Sequence, residues 1–210
     1  HRSGFVLIGR KGMLSGDARE VGGVKKSSED VTAVFTCNDC VQLIKVQSAG
    51  LQHGNHVKVF VDGKQMQVTA KRGLTVVSFS HDKKTGKLVM DKQGTYDTYG
   101  NAKADDQMAA FIKAIPSGRV VVVAALDSAE GQMSAVGYNA LKSIGGTGAK
   151  LAHRSGFALI GRKGLAAGKG YQIGGTKKSA ETITASFTCQ GPKAPPGKQL
   201  QRTCQLSFAA

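Results

Sequence analysis

With 210 residues, 40% of them hydrophobic, the chain is long enough for one ordinary domain with extensions or for two small ones, and apolar enough to bury a core. Lysine and arginine outnumber aspartate and glutamate by 29 to 14, a formal net charge of +15, so the surface field favours anionic partners. Aromatic residues make up only 6% and the basic residues are scattered as doublets (Arg10-Lys11, Lys25-Lys26, Lys83-Lys84, Arg162-Lys163, Lys177-Lys178); nucleic-acid binders concentrate charge beside stacking rings, so no nucleic-acid partner is expected.

The first element in the chain is half of a repeat. His1 to Cys37, HRSGFVLIGRKG to FTC, recurs without a gap as His153 to Cys189, HRSGFALIGRKG to FTC, with about 23 of 37 positions identical. The stretch between the copies occurs once, so a complete unit is expected from 40 to 189, with 1–37 the tail of a preceding repeat. Residues 190–203, rich in Pro, Gly and Lys, read as a linker. Residues 204–210, opening Cys204-Gln-Leu, mimic Cys40-Val-Gln-Leu and read as the first strand of a following repeat.

Within the unit, His56–Val61 and Lys64–Val68 alternate around Asp62-Gly63, a strong hairpin signal. Gly73–Phe79 and Lys87–Met90 flank a second turn, Asp82–Gly86. From Ala102 to Ile115 the residues Met108, Phe111, Ile112 and Ile115 fall at i, i+3, i+4 and i+7, the buried face of a helix that Pro116 and Gly118 stop. Arg119–Ala124 reads as a core strand. Met133, Val136, Ala140, Leu141 and Ile144 predict a second helix, ended by Gly145-Gly146, and Phe157–Ile160 and Ile183–Phe187 predict closing strands. The fold class implied is α+β, a compact β-sandwich of mostly antiparallel strands flanked by two or three helices. No apolar run reaches the roughly 18 residues that span a bilayer.

No set of residues assembles a reaction centre, and the chain reads as a non-enzyme with neither cofactor nor metal. His53 and His56 lie three apart without a carboxylate nearby, and the neighbouring acids Asp105-Asp106 and Glu29-Asp30 point apart on a helix or strand. Cys37 and Cys40 form a C-x-x-C pair, whereas Cys189 and Cys204 are too widely spaced for the usual second half of a four-thiolate zinc site; structural disulfides in an oxidising compartment are the expectation. Gly161-Arg162-Lys163-Gly164 and its copy at 9–12 pair two cations with backbone amides, a candidate anion-binding turn at Arg162 and Lys163 that lacks the lysine-serine ending of a phosphate loop.

The sequence of motifs Gly73-Leu-Thr-Val-Val77, Lys84-Thr-Gly-Lys-Leu88, Tyr96-Asp-Thr-Tyr-Gly100, Phe111 to Val123, Ala125-Leu-Asp127 and Phe157 to Gly164 resembles the interleukin-like EMT inducer domain, also called the GG domain. That family includes small secreted signalling proteins, the stem of protein O-mannose N-acetylglucosaminyltransferase and cell-surface hyaluronan-handling proteins. The resemblance covers Cys40 to Cys189 and implies a sandwich closed by a Cys40–Cys189 disulfide, leaving the partners of Cys37 and Cys204 open. It also implies sugar binding at Asp127 and Arg154, with Phe157 or Tyr99 covering a sugar face. Three functions follow as expectations: a secreted or lumenal carbohydrate-binding or matrix-interaction module for a glycan or acidic polysaccharide, a structural subunit pairing with neighbouring repeats or other subunits through its incomplete ends, and a secreted signalling factor.

Overall fold

The computed structural model describes residues 5–8, 19–22, 35–36, 41–188 and 203–204, with side chains described between residues 42 and 185. In chain order its strands are β1 (Phe5–Ile8), β2 (Arg19–Gly22), β3 (Phe35–Thr36), β4 (Val41–Ala49), β5 (Val57–Val61), β6 (Lys64–Gln65), β7 (Gly73–His81), β8 (Leu88–Tyr96), β9 (Val120–Leu126), β10 (Ser155–Arg162), β11 (Tyr171–Lys178), β12 (Ala180–Thr188) and β13 (Thr203–Cys204). The helices are α1 (Ala104–Ala114) and α2 (Ala135–Lys142), with a 3-10 turn at Leu51–His53. Two compact units result, one of residues 39–193 and one of residues 1–38 with 194–210.

In the smaller unit β1 pairs antiparallel with β2, Phe5 opposite Gly22 and Ile8 opposite Arg19. The same register, 152 residues later, joins β10 to β11, with Phe157 opposite Gly174 and Ile160 opposite Tyr171. The two copies of the segment thus make the same hairpin twice. β13 pairs with β3, Cys204 opposite Phe35.

The larger unit is an α+β sandwich. A five-stranded sheet, β11-β10-β9-β7-β8, faces a four-stranded sheet, β12-β4-β5-β6, and both are antiparallel throughout. The run Val120–Ala125 is apolar without alternation because β9 is central and covered on both faces. Val121, Val123 and Ala125 pack with Met108 and Ile112 of α1 and Leu141 of α2. Val120, Val122 and Ala124 pack with Ile44, Val46 and Val59 of the second sheet. The Asp62-Gly63 turn has both residues in the left-handed region, φ 51° and 78°, the two-residue hairpin geometry that this dipeptide favours. Asp62 also accepts from Leu43 N–H at 2.8 Å and from the Gln42 amide at 3.0 Å, tying the turn to β4.

Several expected elements come out differently. β6 is only two residues long, and β8 runs on to Tyr96, paired along its length with β7. β11 carried little sequence signal because only one of its eight residues, Gly175, is fully buried. Val136, expected on the buried face of α2, is 47% exposed; Gly137 and Tyr138 face inward instead, because α1 packs so closely that a Cβ on Gly137 would stand 3.0 Å from that of Asp105. The linker 190–203 lies almost wholly outside the described residues, as do Cys37, Cys40 and Cys189 and the side chain of Cys204, and with them the expected disulfides.

Candidate ligand site

Asp127, Arg154 and Tyr99 gather at one end of the five-stranded sheet. β7 begins at Gly73 opposite Leu126, the last residue of β9, and Leu74 lies opposite Tyr96, the last of β8. Arg72, Asp97 and Asp127 are therefore the next residues beyond three neighbouring strand ends. Arg154 immediately precedes β10 on the far side of β9.

β9 and β10 diverge at this end. Their ladder stops at Ala124 opposite Ala158, and beyond it the Ser48 hydroxyl of β4 enters between the strands. It donates to Ala125 O at 2.6 Å and accepts from Phe157 N–H at 3.0 Å, standing in for a missing rung at a residue with no exposure. Past this wedge both Asp127 and Arg154 adopt left-handed backbone, φ 65° and 56°. That conformation is tolerated by Asp but costs a long side chain such as Arg about 1–2 kcal/mol, so the surroundings must impose it. Gly50 does so: it bridges to Asp127, the next residue's N–H donates to Asp127 O at 3.3 Å, and a Cβ on Gly50 would stand 2.0 Å from Arg154 O. Among the described residues no ion pair joins Asp127 to Arg154; the Asp127 carboxylate accepts only from the neighbouring Ser128 hydroxyl, at 3.1 Å.

Beside them runs a chain of polar contacts that sequence reasoning missed. Arg72 makes a two-pronged ion pair with Asp97, 3.0 and 2.7 Å, and its guanidinium lies 5.3 Å from the Tyr99 ring centre. The His153 ring is 5.7 Å from the same ring at 40°, and His153 Nδ1 is 2.7 Å from a Glu130 carboxylate oxygen. The hydrogen-bonded Arg72 holds the Asp97 carboxyl below its usual range, and Asp97 in turn raises the Arg72 guanidinium, with Asp127 and Tyr99 adding to it. Only register brings these residues together, since they come from four separated segments; a His next to the Arg of a repeated His-Arg-Ser-Gly motif was the one available signal.

The loops that carry the site are fixed from below. Thr98, fully buried, donates to Ala129 O at 2.7 Å, and Gln132 N–H returns a bond to Thr98 O at 2.8 Å. Asp105, 3% exposed, accepts from Ser134 N–H at 2.9 Å and the Ser134 hydroxyl at 2.5 Å, while Ser134 caps α2 through Val136 N–H. Burial opposes ionisation of Asp105, but these bonds and those from the Asp106 and Gly137 N–H groups outweigh it and keep its carboxyl below the usual range.

Phe157 corrects the sequence reading: its ring is 1% exposed within the core of helices and sheet, so it has no face to offer a sugar. Tyr99 is half-buried at the site, with its ring already engaged by Arg72 and His153. Arg162 and Lys163 sit at the other end of β10, away from Asp127. His53 and His56 belong to no metal-binding cluster among the described residues. A groove lined by Gln65–Thr69 and Gln93 contains none of the candidate residues.

Residues 72–165 match the family model of the interleukin-like EMT inducer, a span that opens on Arg72 and takes in Asp97, Tyr99, Asp127, Glu130, His153 and Arg154. The chain carries an interleukin-like EMT inducer domain. The matched span is narrower than the 40–189 read from the motifs, leaving the second sheet, β4 to β6 with β12, outside it. Ser48 and Gly50, which shape the site, therefore come from outside the matched span. No curated protein matches the chain. No helix among the described residues is long and apolar enough to cross a membrane.

Proposed function

We propose that the interleukin-like EMT inducer domain of this chain is a non-catalytic carbohydrate-binding module of an extracellular or lumenal protein, taking a glycan at Asp127 and Arg154. The observation that carries this reading is the convergence of these two residues, 27 apart in sequence, at the diverging ends of β9 and β10, both held in left-handed backbone and not paired with each other. A carboxylate that accepts and a guanidinium that donates suit vicinal hydroxyls, and unsatisfied by each other they are available to a ligand. Arg72, Asp97, Glu130 and His153 form a polar rim around the same sheet end. Glycan-array binding by the full chain, lost in both Asp127→Ala and Arg154→Ala and retained in Lys58→Ala on an exposed strand position, is the expected result. Undiminished binding in both site variants rules the reading out.

A second reading, assembly through repeat ends, draws on the pairing of β13 with β3, which joins a strand copied in β12 to a segment resembling the start of β4. Sedimentation at rising concentration tests it: association is expected, and a monomer throughout refutes it.

A further inference from the structure

The end of the five-stranded sheet remote from Asp127 carries a second arrangement of charge. β10, β9 and β7 are neighbours in that order, and at this end they present Arg162 as the last residue of β10, Arg119 just before β9 and His81 as the last residue of β7. Arg162 lies opposite Val120, and Val120 lies opposite Phe79, so Arg162 and Phe79 share a face of the sheet and His81, two residues on, shares it too; Arg119, one residue before Val120, starts from the other face at the strand's very end, and its long side chain has to reach round that end. Two inter-strand spacings separate the outer members by about 10 Å, a gap that arginine side chains bridge. The strand ends are held in place by main-chain bonds, Lys163 N–H to Arg119 O at 2.8 Å, Gly118 N–H to Lys163 O at 2.9 Å and Arg162 N–H to Ile144 O at 3.0 Å.

We propose that Arg119, Arg162 and His81 form an oxyanion site that takes the sulfate or phosphate ester of an acidic saccharide. Two guanidiniums on a rigid frame suit a group with several equivalent oxygens. Among the described residues neither arginine is ion-paired. The adjacent carboxylate, Asp82, is turned into its own turn, where one oxygen accepts from Lys84 N–H, Thr85 N–H and the Thr85 hydroxyl. Lys83 and Lys84 in that turn and Lys87 after it add further positive charge; Leu88, paired with His81 on β8, bonds through its N–H to Gln42, whose amide in turn donates to the Asp62 carboxylate of the second sheet, itself also held by Leu43 N–H. Burial first, then Arg162 and Arg119, hold the His81 imidazole below its ordinary value and favour its neutral form. A bound oxyanion offsets both guanidiniums and favours the imidazolium; binding of a sulfate ester, whose own charge is constant over this range, therefore takes up a proton and tightens as pH falls from 7 toward 5, whereas a phosphate ester itself titrates near pH 6.

This site lies at the opposite sheet end from Asp127 and uses none of the same residues, while the choice of a saccharide as the carrier of the oxyanion rests on the glycan reading. The test is calorimetry on the full chain in about 0.15 M salt, where charges beyond about 8 Å are screened. The probes are a sulfated disaccharide, a phosphorylated disaccharide and the unmodified disaccharide. One or both modified probes should bind more tightly than the unmodified one, which can engage only the site at Asp127, and the stronger of the two identifies the ester. Arg119→Gln and Arg162→Gln are each expected to weaken binding about tenfold, the loss of one charge-assisted contact. For the sulfated probe His81→Gln should abolish the pH dependence, and Lys58→Ala, at an exposed position on β5, should change nothing. Modified probes that bind no more tightly than the unmodified one overturn the proposal. So does wild-type affinity in the Arg119→Gln/Arg162→Gln double variant, its amide spectrum showing an intact fold, since the charge at work would then lie elsewhere.

Discussion

Replacing Ser48 by alanine removes a single hydroxyl, yet the structure makes the loss costly. The hydroxyl satisfies two main-chain groups on different strands, Ala125 O and Phe157 N–H, at a position with no exposure to water. Each group left buried without a partner costs about 1–3 kcal/mol, so Ser48→Ala should destabilise the domain by about 2–6 kcal/mol, a large share of the roughly 5–15 kcal/mol typical of a folded domain. Thr75 supplies the contrast within the same sandwich. Its hydroxyl is equally buried, at 1% exposure, but has no hydrogen-bond partner among the described residues. Thr75→Val keeps the shape and removes a polar atom that gains nothing from burial, so it should stabilise by about 1–2 kcal/mol. Urea denaturation at pH 7 reads both, with an unchanged slope showing that the unfolded state is comparable. If Ser48→Ala lies within about 0.5 kcal/mol of the parent, a water or a strand shift replaces the hydroxyl and the wedge argument fails.

Gly50→Ala should destabilise by at least about 1–3 kcal/mol and abolish glycan binding together, because the new methyl meets the Arg154 carbonyl; full binding with unchanged denaturation would remove Gly50 from the site's support. Phe157→Ala should cost about 3–5 kcal/mol in the same denaturation assay, as expected of a core ring, whereas a ligand-facing ring would lose affinity with little change in stability. For Asp105, the folded carboxyl titrates below the unfolded one, so its contribution is complete above the unfolded value of 3.8 and disappears as pH falls through the lower folded value. Denaturation midpoints from pH 6 to 2 should therefore fall more steeply in the parent than in Asp105→Asn, and parallel profiles would refute the assignment.

What the sequence settled by itself is local or periodic. The copied segment, the Asp62-Gly63 turn and the apolar spacing of Met108 and Ile112 each carry their signal within a few residues, and each is met in the structure by a matching hairpin, turn or buried helix face. The family resemblance drew Asp127 and Arg154 from motifs that also lie in short stretches. Tertiary structure decided the rest because the rest depends on register between distant strands. Phe157 looked like a ligand ring until β10 turned it into the core, and Val136 looked buried until α1 pressed against Gly137. Arg72, Asp97, Tyr99, Glu130 and His153 meet only where three strand ends and two loops coincide. Nor does any pattern near Ser48 foretell that its hydroxyl will wedge between β9 and β10, far along the chain: that role is set by how one sheet lies on the other, which no window of sequence contains.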